Sequence, residues 1–197
     1  LLGLKGLLMA NHPPYWYWDN KLNLKEVKKL NKLIMSKYDF IEPNKHKAYN
    51  EDGSLKKNTD SYVITYKKVK VYISKLLDLV YKTNRETFAY DIWKYTDIDT
   101  CLYNIYKSDK SSNYDWHIDE DQNPYADIKF TMIINLSEKP FVGGDLFLQQ
   151  SHQYEVKELR KPGTFVIFKS HTRHMVTPVT QGERKNLVLF LTGPNFK

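Results

Sequence analysis

Residues 129–137 read KFTMIINLS, an apolar stretch rich in β-branched and aromatic residues that is typical of a buried strand. From about residue 100 similar short segments recur, separated by turn residues such as Gly143-Gly144 and Pro162-Gly163. We predict eight strands, at residues 100–107, 114–119, 129–137, 145–150, 154–160, 164–169, 173–179 and 185–192. So many short strands in close succession indicate a double-sheet jelly roll or a barrel.

The part of the chain before residue 100 has helical periodicity instead. Asn23 and Glu26 have the spacing of a capping box, and the apolar residues that follow recur every three or four positions up to Ile34. A second helix is predicted near 69–82, with an apolar stripe on one side and lysines on the other. Helices followed by strands predict an α+β fold, in which the N-terminal helices buttress one sheet.

Three further segments complete the predicted organisation. The aromatic cluster at 15–18 predicts an edge strand, and the polar residues 40–60 predict a loop. Residues 1–10, LLGLKGLLMA, differ from the rest and are expected to be a non-native or flexible leader. The remaining residues, 11–197, are then expected to form a single domain.

Composition limits the classes of protein that this chain can belong to. Its 197 residues are 41% hydrophobic, yet no apolar run approaches the length of a membrane span, so we expect no membrane partner. The only cysteine, Cys101, excludes a disulfide framework and a multi-cysteine zinc site, and we expect a reducing, cytoplasmic location. The net charge of +7 would suit nucleic acid, but the lysines fall mainly on predicted solvated helix faces.

The residues most suggestive of chemistry are two histidines and an aspartate. His117 and Asp119 lie two apart on a predicted strand, so their side chains point to the same face. A third ligand must come from elsewhere, and His174 on a late strand is the best candidate, with His171 as an alternative. Two histidines and one carboxylate form the facial triad of non-haem Fe(II) oxygenases.

Arg184 follows His174 by ten positions and opens the last predicted strand. A guanidinium can pair bidentately with a carboxylate, with more directional constraint than a lysine. A metal chelated by a 2-oxo acid, whose distal carboxylate is held by an arginine, is the geometry expected for 2-oxoglutarate.

The ordered set of motifs resembles the Fe(II)/2-oxoglutarate-dependent oxygenases, and specifically their prolyl-4-hydroxylase-like branch, over about residues 84–194. The resemblance is carried by residues 102–106 (LYNIY), 114–119 (YDWHID), 133–137 (IINLS), 143–146 (GGDL), 162–164 (PGT), Phe168, His174, Pro178-Val179, 182–184 (GER) and Gly193-Pro194. The resemblance implies a double-stranded β-helix core, which is a form of jelly roll. One departure is the segment 107–113, KSDKSSN, which lacks the glycine that the family often has there.

The resemblance also implies roles for individual residues. The implied iron ligands are His117, Asp119 and His174. The implied cofactor-binding residues are Arg184 for the distal carboxylate of 2-oxoglutarate, Tyr106 for a hydrogen bond to it, and Thr131 on the strand beside it. The implied substrate-binding residues are Tyr114 and Trp116. The implied cofactors are Fe(II), 2-oxoglutarate and O2, with ascorbate as a further candidate.

The function predicted from this resemblance is hydroxylation of prolyl residues in a protein or peptide, with release of succinate and CO2. One alternative is a hydroxylase of a free amino acid or small metabolite. A nucleic-acid demethylase is disfavoured, because such enzymes usually have a second arginine six positions after the first, where this chain has Phe190. A non-catalytic jelly-roll module is disfavoured by the intact triad, and a cupin-like metal site by the absence of its HxH pattern.

Overall fold

The computed structural model describes residues 14–36, 41–43, 49–120 and 124–195. Most of the regular structure is strand, and the two α-helices are α1 (Leu24–Ile34) and α2 (Tyr66–Thr83). Within these residues no helix is both long and apolar enough to cross a bilayer. The predicted leader, residues 1–10, lies outside the described residues, and the single domain over 11–197 stays a prediction.

The strands form three antiparallel sheets. In chain order they are β1 (Tyr15–Trp18), β2 (Ile41–Pro43), β3 (Lys57–Asn58), β4 (Asp60–Thr65), β5 (Thr100–Lys107), β6 (Asn113–His117), β7 (Ala126–Asn135), β8 (Val142–Gly143), β9 (Leu146–Gln149), β10 (Gln153–Glu155), β11 (Phe165–Lys169), β12 (Arg173–Val176), β13 (Val179–Gln181) and β14 (Glu183–Pro194). The seven-stranded sheet has the order β1-β11-β7-β14-β5-β4-β2, and the five-stranded sheet the order β10-β9-β12-β6-β3. The third sheet pairs β13 with β8.

Helix α1 begins where the capping box predicts. The backbone N–H of Glu26 donates to Asn23 Oδ1 at 3.0 Å, and the N–H of Asn23 donates to Glu26 Oε2 at 2.8 Å. The helix then buries Val27, Leu30 and Ile34 on one face. The predicted second helix is also present, and it extends a few residues beyond 69–82 at its N-terminus.

Alternation along the strands separates two apolar layers. In β7, Met132 packs in a cluster with the helices, whereas Ile133 packs in a second cluster with Leu148 of β9 and Val176 of β12. The first cluster lies between the helices and the seven-stranded sheet, and the second lies between the two large sheets. The α+β prediction, with helices against one sheet, is confirmed.

The predicted loop at 40–60 is wrong in part. It contains β2 and β3, and β4 begins at Asp60. Strands of two or three residues are too short to show a periodicity, and β4 forms because it pairs with β5 along its whole length.

Two predicted strands also end earlier than expected. The strand at 154–160 stops at Glu155, and Lys157–Arg160 is a 3₁₀ turn. The strand at 173–179 divides into β12 and β13, which belong to different sheets. Pro178 lies between them, and a proline has no N–H to donate to a strand partner.

Gly163 attaches the segment before α1 to the sheets. Its carbonyl accepts from the N–H groups of Lys21 and Leu22 at 3.1 and 3.2 Å, and its φ is +73°. A Cβ on Gly163 would lie 1.7 Å from the carbonyl oxygen of Leu22. We expect Gly163→Ala to lower the free energy of unfolding by about 3 kcal/mol or more, because strain at positive φ adds to overpacking.

Gly53 provides the matched control for this prediction. Its φ is +80°, but a Cβ there would meet nothing within 4 Å. Gly53→Ala should therefore cost only the conformational strain, about 1 kcal/mol. Equal losses for the two variants in urea denaturation would contradict the proposed clash with Leu22.

Candidate metal centre

Three potential metal ligands converge between the two large sheets. β6 pairs with β12 so that His117 lies opposite His174, and their ring centroids are 4.1 Å apart. Asp119 Oδ1 is 3.6 Å from His117 Nε2, and Asp119 Oδ2 is 3.4 Å from His174 Nε2. One ligand atom from each residue lies within 4.8 Å of the others, so the three side chains can hold one metal ion.

The predicted reason for this convergence needs a correction. The prediction of a strand over 114–119 placed Asp119 on the same strand face as His117. Strand β6 ends at His117, so Asp119 lies beyond the strand and does not share that face. Instead the N–H of Asp119 donates to the carbonyl of Ser170 at 3.2 Å. Because Ser170 lies just before β12, this hydrogen bond holds the aspartate beside His174.

Both imidazoles are oriented by backbone carbonyls. His117 Nδ1 lies 2.7 Å from the carbonyl oxygen of Asp115, and His174 Nδ1 lies 3.0 Å from that of Thr172. A carbonyl can only accept, so each Nδ1 carries the proton and donates it. The Nε2 lone pairs that face Asp119 are therefore free to bind a metal.

Burial keeps His117 neutral. Desolvation is the largest influence and the neighbouring His174 the next, and together they lower the pKa of His117 to about 2. A neutral imidazole is the form that coordinates metal ions. Removal from solvent therefore prepares this side chain for ligation across the physiological pH range.

Thr131 acts on the carboxylate of the triad. Its Oγ1 donates to Asp119 Oδ2 at 2.6 Å, from the face of β7 that looks toward the five-stranded sheet. The hydroxyl thus restrains the orientation of Asp119. Thr131 also lines the cavity beside the triad, and its role beside the co-substrate stays a prediction.

A β-bulge brings Tyr114 to the same face as His117. His174 pairs with His117 and Val176 with Tyr114, so between these pairs β12 has one residue where β6 has two. The Tyr114 ring consequently stacks on the imidazole of His117, with centroids 3.5 Å apart. Trp116, by contrast, has the guanidinium of Arg173 over its ring, with Cζ 5.5 Å from the centroid.

These contacts separate the two predicted substrate-binding residues. Among the residues described, those lining the cavity beside the triad include Tyr114 but not Trp116. Trp116 does not line this cavity, and its role in substrate binding stays a prediction. Its alternation with His117 along β6 directs it to the other face of the strand.

Arg184 lies fully inside the protein at the start of β14. It pairs with Tyr106 of β5, and its Cζ lies 5.0 Å from the centroid of the Tyr106 ring. The Nη1 atom of Arg184 is buried without a hydrogen-bond partner. A buried guanidinium donor without an acceptor is costly, so this atom indicates a missing ligand oxygen.

Gly144 contributes to the position of Arg184. A Cβ on Gly144 would lie 3.0 Å from Arg184 Cδ and 2.8 Å from Val179 Cγ2. The predicted Gly143-Gly144 turn is present with positive φ at both residues. Its glycines allow the chain to pass close to the arginine stem.

The cavity beside the triad has a volume of about 40 Å³. Its apolar lining consists of Leu102, Ile133, Val176, Val188 and Phe190. Its polar lining consists of Lys57, Asn104, Tyr106, Tyr114, His117, Asp119, Thr131, His174 and Asn186. Apolar side chains combined with convergent polar groups are typical of a small-molecule site.

Lys57, Asn104 and Asn186 were missed by the sequence analysis. The two asparagines carried a usable signal, since each is a polar residue at an inward position of an otherwise apolar strand. Lys57 carried none, because it lies in the polar segment interpreted as a loop. Only the pairing of β3 with β6 brings it to the cavity.

The remaining candidates lie apart from the triad. His171 is exposed, so the choice of His174 over His171 agrees with the structure. In the segment that lacks the family's glycine, Ser111 adopts φ +46°, the left-handed conformation that glycine favours. Cys101 is buried, as expected for a packing thiol, and burial raises its pKa.

Comparisons with known proteins agree with this geometry. Residues 101–192 match the family model described as the 2OG-Fe(II) oxygenase superfamily. A PKHD-type hydroxylase of Synechococcus sp. (strain CC9605) is 35% identical over 83 residues, which is 41% of this chain and 36% of that protein. This chain therefore matches only about a third of its curated relative.

Two crystal structures share the fold at low identity. A Pseudomonas putida prolyl-4-hydroxylase superposes with a TM-score of 0.64 and 17% identity, over 94% of this chain and 95% of the other. A viral collagen prolyl hydroxylase from Paramecium Bursaria Chlorella virus-1, in a 2OG complex, has a TM-score of 0.66 and 17% identity over 94% and 99% of the chains. Residues 101–192 therefore match the 2OG-Fe(II) oxygenase superfamily, and the fold of the chain is similar to that of two prolyl hydroxylases.

Proposed function

We propose that this chain is an Fe(II)- and 2-oxoglutarate-dependent dioxygenase that hydroxylates prolyl residues of a protein or peptide on a double-stranded β-helix core. The observation that carries the proposal is a His-Asp-His cluster in a cavity whose wall includes Tyr106, the residue that a buried arginine with an unpartnered donor, Arg184, lies against. Its reaction would consume O2 and release succinate and CO2. Similarity to prolyl hydroxylases supports the prolyl substrate.

The residues present fit both cofactors. His117, Asp119 and His174 would hold Fe(II), because two imidazoles and a carboxylate form a site that leaves coordination positions open. Arg184 would bind the distal carboxylate of 2-oxoglutarate through its free Nη1 donor, next to the Tyr106 hydroxyl. When bound, these cofactors supply the activation of O2 and the transfer of an oxygen atom to a C–H bond.

The protein's own contribution is orientation and exclusion of water. The backbone acceptors of His117 and His174 and the hydroxyl of Thr131 hold the ligand atoms in place before a metal binds. The apolar side chains on β5, β7 and β14 keep water from the reacting centre. Ascorbate dependence and a cytoplasmic location stay predictions.

The substrate is tested by a panel of proline-containing peptides, free amino acids and methylated oligonucleotides. We expect 2-oxoglutarate turnover coupled to the gain of one oxygen atom, read by mass spectrometry, for a proline-containing peptide. Oxygen gain on a free amino acid alone would favour the metabolite hydroxylase, and loss of a methyl group from an oligonucleotide would favour the demethylase. Either result would overturn the prolyl substrate but keep the reaction class.

The ligand role of Asp119 has a direct test. Asp119→Ala should abolish succinate production and lower the affinity for Mn²⁺, because the carboxylate lies 3.6 and 3.4 Å from the two Nε2 atoms. The exposed Asp78 on α2 gives the control variant, Asp78→Ala, which should match the wild type. Succinate production by Asp119→Ala at the wild-type rate would refute the assignment of the metal site. His117→Ala is expected to behave in the same way.

Arg184 is tested through the co-substrate. Arg184→Ala should raise the KM for 2-oxoglutarate by about tenfold or more, because charge-assisted hydrogen bonds to a carboxylate are lost. Arg85→Ala, at an exposed position, removes the same charge away from the cavity and should leave KM unchanged. If both variants kept the wild-type KM, Arg184 would have no part in co-substrate binding.

Thr131 is predicted to tune the metal rather than to bind the co-substrate directly. Thr131→Val has nearly the same shape but cannot donate to Asp119, so Mn²⁺ affinity should fall by about 10- to 100-fold. Thr131→Ser keeps the hydroxyl and should retain most of the affinity. Mn²⁺ titration followed by electron paramagnetic resonance measures both. Weaker binding by the serine than by the valine variant would exclude the hydrogen bond as the cause.

A further inference from the structure

Lys57, on the short strand β3, is a cation that lines the cavity. It pairs with Tyr114 of β6, and its Nζ lies 5.1 Å from the centroid of the Tyr114 ring. Nζ also donates to Asn104 Oδ1 at 3.2 Å. Through the ring of Tyr114, which stacks on His117, the ammonium group is one side chain away from the metal centre.

The position of Lys57 is set by a rigid acceptor. Asn104 Oδ1 also accepts from Ser61 Oγ at 2.5 Å, and Asn104 Nδ2 donates to Asn186 Oδ1 at 3.1 Å. Both ends of the Asn104 amide are therefore committed to neighbours on β4 and β14. This network directs the lysine, which is half-buried, toward the cavity that it lines.

No carboxylate in the described part of the chain forms an ion pair with Lys57. The single hydrogen bond found there, to Asn104, leaves two N–H donors of the ammonium group for a ligand. Burial lowers the pKa of Lys57 to about 8, opposed only by the more distant Asp119. A buried lysine with spare donors is costly to the fold, and such a residue is more readily explained by binding than by stability.

The charges of the cavity favour an anion once a metal is bound. Apart from the histidines, the charged side chains that line the cavity are Lys57, +1, and Asp119, −1, which cancel before any metal binds. A divalent metal would bring the total to +2. Arg184 lies at a different position from Lys57, since Arg184 pairs with Tyr106 whereas Lys57 contacts Asn104 and Tyr114.

We propose that Lys57 binds a carboxylate within the cavity, at a position distinct from that served by Arg184. The inference rests on the proposed function, because it places this carboxylate beside a 2-oxoglutarate site. The carboxylate is either the second one of 2-oxoglutarate or one carried by the substrate that is hydroxylated. In the second case Lys57 selects acidic substrates or those with a free carboxylate.

The first arm of the test measures 2-oxoglutarate binding. Isothermal titration of the Mn²⁺-loaded full chain compares the wild type with Lys57→Met and with Lys67→Met, an exposed lysine on α2. If Lys57 binds the co-substrate, the Kd of Lys57→Met should rise by about tenfold, while that of Lys67→Met stays unchanged. This readout does not depend on turnover.

The second arm measures carboxylate binding at saturating 2-oxoglutarate. The probes are acetate against acetamide and L-proline against L-prolinamide, followed by the shift in melting temperature of the Mn²⁺-loaded chain. If Lys57 binds the substrate, the wild type should prefer the carboxylate of a pair, and Lys57→Met should lose that preference. Lys67→Met should keep it.

The outcomes separate the inference from the proposed function. A change in either arm that is confined to Lys57→Met supports the inference and identifies the source of the carboxylate. Wild-type behaviour of Lys57→Met in both arms overturns the inference and leaves the proposed function intact. Failure of the wild type to bind 2-oxoglutarate at all overturns both.

The melting temperatures of Lys57 variants distinguish a binding role of Lys57 from a structural one. At pH 7, below the folded pKa of about 8, Lys57 is charged in the folded and unfolded states, so its burial destabilises the fold. Lys57→Met should therefore melt at or above the wild-type temperature. If it and Lys57→Gln both melt well below the wild type and Lys67→Met, the lysine is structural and the inference is wrong.

Discussion

The pairing of β6 with β12 is the contact on which the rest of the site depends. It places His117 opposite His174 and, through one extra residue in β6, turns Tyr114 onto the same face. The hydrogen bond from Asp119 to Ser170 then uses the turn before β12 to bring in the carboxylate. If this pairing slipped by one residue, a histidine would move to the opposite face of the sheet and the cluster would be lost.

The polar groups of the site are buried and held by hydrogen bonds within the fold. Backbone carbonyls orient both imidazoles, and Thr131 orients the carboxylate. Each contact satisfies a group that would otherwise be costly to bury. The exceptions are therefore informative: Nη1 of Arg184 is buried without a partner, and Lys57, which lines the cavity, makes a single hydrogen bond within the described part of the chain.

Each of the two large sheets contributes different side chains to the site. The two histidines of the cluster come from the five-stranded sheet, whereas Arg184, Tyr106 and Thr131 come from the seven-stranded sheet, which the helices support from behind. The cavity lies between the sheets because alternation sends every second residue of each strand toward it. The same alternation makes one face of β7 apolar core and the other face part of the site.

Local signals in the sequence determined much of this protein, including the capping box of α1, most strands after residue 100, the triad and Arg184. These features are readable because they depend on the spacing of neighbouring residues. The tertiary structure alone established β2–β4, the bulge at Tyr114, the hydrogen bond of Thr131 to Asp119 and the entry of Lys57 into the cavity. Each of these depends on a partner distant in the chain, and the free energy of such contacts arises only when the sheets pair and exclude water.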